Sequence, residues 1–212
     1  MPVQPLLLDA DRKAKQNKGE IGMKELRTRG LPNAKQTVDI GVNLAAASEA
    51  ILDGGSLHFT WRANCEWVNG VYVRSTVEGY IETDESSVRS EKFAVAADYP
   101  EMLAGEDKAP TPIELVLSAL ASCLTGGVAI AAQYRDIQLR YIETMVEGRS
   151  DLHRSLAKEP DLRSGNSTIE VSFVIDADAT VDELKDLAAE AQKRSVVLEL
   201  LAKPTDVVVE VK

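Results

Sequence analysis

Residues 115–132 contain no charged side chain and are dominated by alanine and leucine. A run of this length approaches the roughly 20 apolar residues that a membrane-spanning helix needs. Small polar residues and glycines interrupt it, however, at Ser118, Ser122, Thr125, Gly126 and Gly127. Segments that alternate like the strands of water-soluble sheets also flank it. A helix that is apolar on all sides is typical of the centre of a globular domain. We therefore predict a buried central helix that neighbouring elements approach closely, and no membrane association.

The residues before this run carry the signals of a helix start. Thr111 suits the N-cap, Pro112 suits the first helical position, and Glu114 follows three residues after Thr111. This combination predicts a capping box, so capping alone already accounts for Glu114. Thr180 and Glu183 predict a second capping box. The helix that follows, over residues 181–195, carries one face at helical spacing: Leu184, Leu187, Ala188, Ala191 and Ser195.

Six segments have the character of strands: residues 57–67, 71–83, 91–100, 137–148, 167–178 and 205–211. Asn69-Gly70 lies between the first two and predicts a tight hairpin. Three strands precede the central helix, two follow it, and one follows the second helix. This order lacks the regular alternation of strand and helix that parallel sheets require. It predicts an α+β fold with antiparallel pairing.

Charge and composition limit the possible partners and compartments. The formal net charge is −10 over 212 residues, which argues against nucleic acid and anionic membrane surfaces. Residues 1–36 hold eight Lys or Arg and four Asp or Glu, a balance of +4, so the remainder carries −14. We therefore expect an N-terminal extension over residues 1–54, partly disordered or helical, before a single domain over residues 55–212. The start resembles no secretion signal, and two unlike cysteines fit free thiols in a reducing cytoplasm.

Two stretches resemble the OsmC/Ohr family (osmotically inducible protein C and organic hydroperoxide resistance proteins). The first is ADYPEMLAGEDKAPTPIELVLSALASCL, from residue 97, with an Asp-x-Pro turn, a glycine-containing loop, a Pro-x-Glu-Leu helix start and a cysteine in an alanine-rich helix. The second is VEGRSDLHRSLAKEPDLRSGNSTIEVSFVI, from residue 146. The resemblance covers about residues 55–212. It implies an OsmC-like fold, with two antiparallel β-sheets around two central helices in an intertwined homodimer.

The resemblance also implies a chemistry. The best-known members of the family are peroxidases that reduce organic hydroperoxides with a cysteine thiolate, at active sites on the dimer interface. They use an external thiol reductant and no metal, flavin or haem. Cys123 falls on the position of the attacking cysteine. Because the reactive form is the thiolate, a mid-helix Cys123 needs a cationic neighbour. The sequence offers Arg62 and Arg74 for this role, with Glu114 as a candidate support for the arginine. Glu114 lies nine residues before Cys123, whereas the peroxidase branch places its glutamate ten before.

The chain departs from the family at the second, resolving cysteine, whose position holds Ser195. Serine cannot form the resolving disulfide, which leaves three hypotheses. Cys123 is a single peroxidatic cysteine reduced by an outside thiol, or Cys65 takes the resolving role across the dimer. In the third, the protein does not catalyse and instead binds a small apolar ligand or serves a structural role, and Ser195 favours this possibility.

Overall fold

The computed structural model describes residues 59–82, 85–150 and 166–211. The predicted N-terminal extension over residues 1–54 lies outside these residues, as does most of the polar segment between the two strands after the central helix. Within the described chain, strands and helices follow one another in an α+β order, and two antiparallel sheets are formed. The predicted α+β fold with two antiparallel sheets is confirmed.

The first sheet precedes the central helix and is built around one long strand. Its strands are β1 (Phe59–Trp61), β2 (Asn64–Asn69), β3 (Tyr72–Glu82) and β4 (Glu85–Ala97). Both β1 and β2 pair antiparallel with one edge of β3, and β4 pairs with the other. The strand predicted over residues 57–67 is therefore two strands, interrupted at Arg62 and Ala63.

The predicted hairpin is confirmed. Asn69 pairs with Tyr72, which leaves Gly70 and Val71 as the loop. Gly70 has φ +50, a conformation that glycine adopts without steric cost. The indole Nε1 of Trp67 donates a hydrogen bond of 2.9 Å to the Gly70 carbonyl and ties the turn to the strand before it.

The central helix, α1, spans Pro112–Tyr134. The predicted capping box is present, because the Thr111 hydroxyl accepts from the Glu114 amide and the Glu114 carboxylate accepts from the Thr111 amide. One side of α1 is buried, with Leu120 and Val128 fully inaccessible. The opposite side exposes small residues and differs from the predicted burial on all sides, because nothing in the described single chain covers it.

Two shorter helices and a second sheet pack on the buried side of α1. The sheet pairs β5 (Leu139–Ser150) with β6 (Asn166–Ala177), and α2 (Val181–Arg194) and α3 (Val196–Ala202) follow. The predicted capping box of Thr180 and Glu183 starts α2. The buried core joins α1 to α2 through Val128, Ala131, Ala132, Leu187 and Ala191, and partly buried residues of the second sheet pack against it: Leu139, Ile142, Phe173 and Ile175. A fully buried leucine such as Leu187 contributes about 1.5–3 kcal/mol through removal of apolar surface from water.

The strand predicted at residues 205–211 does not form in this chain. Val207, Val208 and Val209 are each at least 80% exposed. A strand needs a neighbour for its backbone groups, and the apolar pattern alone does not supply one. The short helix α3, over residues that we did not assign to an element, separates this segment from α2.

The first sheet presents an apolar face that the other described elements leave largely uncovered. Strand register places Cys65 beside Ser75 and Val95, and Trp67 beside Val73, on the same side of the sheet. Trp67 is 73% exposed and Phe93 is 50% exposed. Among the described elements, these strands pack extensively only on one another, whereas α1 packs on β5, α2 and α3.

Candidate functional site

Cys123 lies in the middle of α1, at the border between its buried and exposed sides. Leu120 and Leu124 beside it are 0% and 1% exposed, whereas Ala119 and Ser122 are exposed. Cys123 itself is half-buried and has a free thiol. A sulfur at such a border is shielded by the core yet remains within reach of a reagent from solvent.

The hydrogen-bonding partner of the Cys123 sulfur within the described chain is Ser195. The Ser195 hydroxyl donates to the sulfur across 3.2 Å. The same oxygen accepts a hydrogen bond of 3.1 Å from the Leu198 amide, which makes Ser195 the N-cap of α3. Ser195 is 5% exposed, and it is one of two buried polar residues among those described. The structure thus brings together the two positions that the family resemblance linked.

The contact is part of a seam between the antiparallel helices α1 and α2. Gly127 lies one turn after Cys123, and Ala191 lies one turn before Ser195. A Cβ atom added at Gly127 would approach the Ala191 Cβ to 3.0 Å, so the helices cross with almost no side chain between them. At the far end of the seam, Arg135 pairs with Glu190 at 2.8 Å. The distance between the sulfur and the hydroxyl is therefore set by close packing of two helices.

Glu114 occupies a different part of α1. It precedes Cys123 by nine residues, which at 1.5 Å and 100° per residue places it about 13 Å away along the axis and on the opposite side of the helix. Its carboxylate accepts from the Thr111 amide at 2.7 Å and hydroxyl at 2.8 Å. These hydrogen bonds, the backbone one foremost, lower the pKa of Glu114 below its ordinary value. In this chain Glu114 acts as a helix cap, and its expected support of an arginine stays a prediction.

The arginine and cysteine candidates on the first sheet remain apart from Cys123 in this chain. Arg62 is exposed between β1 and β2, and Arg74 is exposed on β3. Neither hydrogen-bonds or pairs with Cys123 or Glu114 in the part of the chain that the structure describes. Cys65 is exposed on the apolar face of the sheet. The roles expected of Arg62 and Cys65 stay predictions.

Asp98 is a residue of the site region to which we assigned no role. It is 1% exposed, and its carboxylate accepts from the backbone amides of Tyr99, Glu106 and Lys108 at 2.8, 3.2 and 3.0 Å. The amide of Lys108, followed by those of Tyr99 and Glu106, lowers the pKa of Asp98, against the opposing effect of burial. The Asp-x-Pro pattern is the sequence signal that marks it. Asp98 fixes the loop that leads into α1.

The same loop admits little variation at Gly105. A Cβ atom there would lie 1.7 Å from the Tyr99 carbonyl oxygen, and the Gly105 amide donates to the Pro100 carbonyl at 3.2 Å. Only a residue without a side chain fits beneath this backbone. The glycine of the loop is therefore required by a close approach and not by a turn with positive φ.

An open pocket of about 490 Å³ lies between this loop and the start of α1. Its lining comprises Asp107, Lys108, Ala109, Pro110, Glu114, Leu115 and Ser118. Cys123 is not part of the lining. Within the described residues, no group of three or more His, Cys, Asp or Glu side chains is arranged to hold a metal ion.

By length and composition α1 could cross a membrane, with 28% of its most apolar window buried in this chain. The core helix of a water-soluble protein passes the same test. Its packing on the second sheet and on α2 agrees with a core position.

The family model described as OsmC-like protein matches residues 105–210, which is half of the chain. No curated protein matches significantly. The structure is similar to the OsmC-like protein from Mycoplasma pneumoniae, with a TM-score of 0.51 and 17% identity over 68% of this chain and 87% of that chain.

Two further solved structures are similar at a lower level. An organic hydroperoxide resistance protein OsmC from Legionella pneumophila has a TM-score of 0.42 and 17% identity over 67% of this chain and 88% of that one. An organic hydroperoxide resistance protein from Elizabethkingia anophelis has a TM-score of 0.43 and 14% identity over 64% of this chain and 84% of that one. At 17% identity, the likeness to the Mycoplasma pneumoniae structure is evidence of fold and not of activity.

Proposed function

The chain belongs to the OsmC-like family, and on that premise we propose that it is a thiol-dependent peroxidase that reduces organic hydroperoxides at Cys123. The observation that carries the proposal is the contact of 3.2 Å between the Cys123 sulfur and the Ser195 hydroxyl. A hydroxyl directed at the sulfur is placed to hold it and to stabilise negative charge on it during attack, since hydrogen bonds to a charged acceptor are stronger than those to a neutral one. The thiolate is the nucleophile that peroxide reduction needs.

In the first step the Cys123 thiolate attacks the outer oxygen of the hydroperoxide ROOH. A sulfur–oxygen bond forms while the oxygen–oxygen bond breaks, so that sulfur is oxidised by two electrons and the peroxide is reduced. The alkoxide takes up a proton and leaves as ROH. Cys123 is left as a sulfenic acid.

In the second step a thiol from outside the protein attacks the sulfenic sulfur, and water leaves as a mixed disulfide forms. A second thiol then attacks this disulfide, which restores the Cys123 thiol and releases an oxidised disulfide. Ser195 has no sulfur with which to close an internal disulfide. The proposal is therefore a single peroxidatic cysteine with an external thiol reductant, acting in the reducing cytoplasm, since both cysteines are free.

We further propose that the active unit is a homodimer. Two surfaces support this: the apolar face of the first sheet that the other described elements leave open, with Trp67 73% and Val95 38% exposed, and the exposed small residues of α1. Contiguous exposed apolar surface of this kind marks an interaction site. A second copy that covers them brings a first sheet close to the Cys123 of its neighbour. Arg62 is then the proposed cation beside the thiolate.

Light scattering at micromolar concentration tests the assembly. The expected molar mass is twice the 23.0 kDa of the chain. A monomer would contradict the homodimer and, with it, the proposed role of Arg62.

Intact-mass spectrometry after one equivalent of cumene hydroperoxide tests the chemistry. Wild type and the matched control Cys65→Ser are expected to gain one oxygen atom within seconds, whereas Cys123→Ser is expected to gain none. If wild type instead loses two hydrogen atoms, it has formed a Cys65–Cys123 disulfide. Cys65 then takes the place of the external thiol in the first resolving step. Wild type that stays unmodified for many minutes would contradict the peroxidase.

The second candidate function is a non-catalytic protein that binds a small apolar molecule. It is favoured by Ser195 at the resolving position and by the lack of a cation in contact with Cys123 within the described residues of one chain. Unreactive wild type in the mass experiment is the result that this candidate predicts.

A further inference from the structure

We propose that Ser195 is a positioning residue for Cys123, whose hydroxyl holds the sulfur first as thiolate and then as sulfenate. The inference deepens the proposed function and rests on it for the oxidised state. For the thiolate it stands on the geometry alone. It assigns a role to Ser195, which otherwise marks only the absence of the family's resolving cysteine.

The Ser195 hydroxyl donates to the sulfur, and the second contact of the same oxygen is compatible with that direction. The Ser195 oxygen accepts the Leu198 amide at 3.1 Å, and a hydroxyl carries a single hydrogen. That hydrogen is left to point away from the amide, where it meets the Cys123 sulfur at 3.2 Å. A thiolate can only accept, so this arrangement suits the charged sulfur better than the neutral one.

The hydroxyl is held in place before any reaction begins. Ser195 is 5% exposed, its amide donates to the Gln192 carbonyl at 3.4 Å, and its carbonyl accepts from the Glu199 amide at 3.0 Å. One turn away, the close approach of Gly127 and Ala191 fixes the separation of the helices. A donor that needs no rearrangement stabilises developing charge more than a mobile one.

Oxidation leaves the donor where it was. The sulfenate carries its negative charge on oxygen and sulfur, next to the same hydroxyl. A serine oxygen does not resolve a sulfenic acid to a disulfide, so the oxidised sulfur waits for a thiol from outside. Ser195 thereby lengthens the life of the state that the external reductant must recognise.

The test uses the full chain with Cys65→Ser, so that Cys123 is the single thiol. Two rates are measured at neutral pH: alkylation by iodoacetamide, which reports the thiolate, and oxidation by cumene hydroperoxide, followed by capture of the sulfenic acid with dimedone. The variants are Ser195→Ala, which removes the donor, and Ser195→Thr, which keeps a hydroxyl. The matched control is Thr180→Ala, which removes an equivalent N-cap hydroxyl far from sulfur.

We expect Ser195→Ala to lower both rates about tenfold, which is the usual difference between a charged and a neutral hydrogen bond. Ser195→Thr is expected to retain them within about twofold. Thr180→Ala is expected to lower stability and leave both rates unchanged. Should Ser195→Ala fail to fold, Ser195→Gly removes the hydroxyl with a residue that N-caps tolerate.

The inference would be overturned if Ser195→Ala kept the wild-type rates of alkylation and oxidation. It would also be overturned if Ser195→Ala and Thr180→Ala lowered these rates equally. If alkylation depends on Ser195 but wild type does not react with the peroxide, the positioning role is supported and the proposed peroxidase activity is rejected. If wild type reduces the peroxide and the Ser195 variants match it, the peroxidase stands and the positioning role fails.

Discussion

Replacing Ser195 with cysteine is expected to turn the single-cysteine site into one that closes an internal disulfide. The hydroxyl oxygen already lies 3.2 Å from the Cys123 sulfur. A carbon–sulfur bond is longer than a carbon–oxygen bond, so a small rotation of either side chain brings the two sulfur atoms within bonding reach. After one equivalent of hydroperoxide, the sulfenic acid at Cys123 then condenses with the introduced thiol and releases water.

The size of the effect follows from the spacing of the two positions along the chain. They are 72 residues apart, and closing a loop of that length removes unfolded-state entropy worth up to about 4 kcal/mol at 25 °C. With an m-value of about 2 kcal/mol/M in urea, the unfolding midpoint rises by about 2 M. Strain in the folded state reduces this figure, so it is a ceiling.

The assay compares urea unfolding of the oxidised and reduced variant at one protein concentration, in the Cys65→Ser background. Intact mass reports the disulfide as a loss of two hydrogen atoms. The matched control is Ser118→Cys, which adds an exposed thiol to the same helix outside the seam and should form no disulfide with Cys123. If Ser195→Cys keeps dimedone-reactive sulfenic acid after oxidation, the contact between the two helices is refuted.

Three further predictions address stability and the limits of the site. Leu187→Ala should lower the free energy of unfolding by about 3–4 kcal/mol because it opens a cavity in the core, whereas Leu200→Ala, at a side chain 54% exposed, should cost under about 1 kcal/mol in the same urea titration. The lowered pKa of Asp98 means that its stabilisation is present above the ordinary value of 3.8 and is lost as pH falls below it. The thermal unfolding temperature of wild type should therefore fall steeply below about pH 4. Asp98→Asn should already unfold at a lower temperature at pH 7, and that temperature should change less as the solution is acidified. Glu114→Gln keeps the capping box and should leave the peroxide reaction of Cys123 within about twofold; a tenfold loss of rate would restore the expected support of an arginine.

The starts of both long helices were predictable from sequence because their causes are local. Thr111 and Glu114 exchange hydrogen bonds over three residues, and so do Thr180 and Glu183. Such contacts form whatever the rest of the chain does. The turn at Gly70 belongs to the same class, since a single backbone conformation determines it.

The pairing of Cys123 with Ser195 was predictable in part. Helical spacing placed Ser195 on the face of α2 that carries Leu187 and Ala191, and all three are buried. Helical periodicity predicts that this face is buried, but it does not predict which element packs against it. The family resemblance linked Ser195 to Cys123, and the crossing of α1 with α2 determines the distance between them.

The remaining misses involve surfaces that the described residues of this chain do not cover. Residues 205–211 carry the composition of a strand and have no pairing neighbour in the described chain. The exposed side of α1 is apolar and was expected to be covered. In both places the local sequence pattern indicates that burial or strand pairing is favourable. It does not identify the surface or strand that makes the contact.

At the helix crossing beside Gly127, a substitution can increase the separation of α1 and α2 but cannot decrease it. No residue is smaller than glycine, so a substitution at Gly127 can only push α2 away from α1 and lengthen the separation of hydroxyl and sulfur one turn further on. If Cys123 reacts as proposed, a change in volume at Gly127 can therefore weaken its reactivity but cannot improve it. Among related chains this position should accordingly tolerate little variation, because any side chain there meets Ala191.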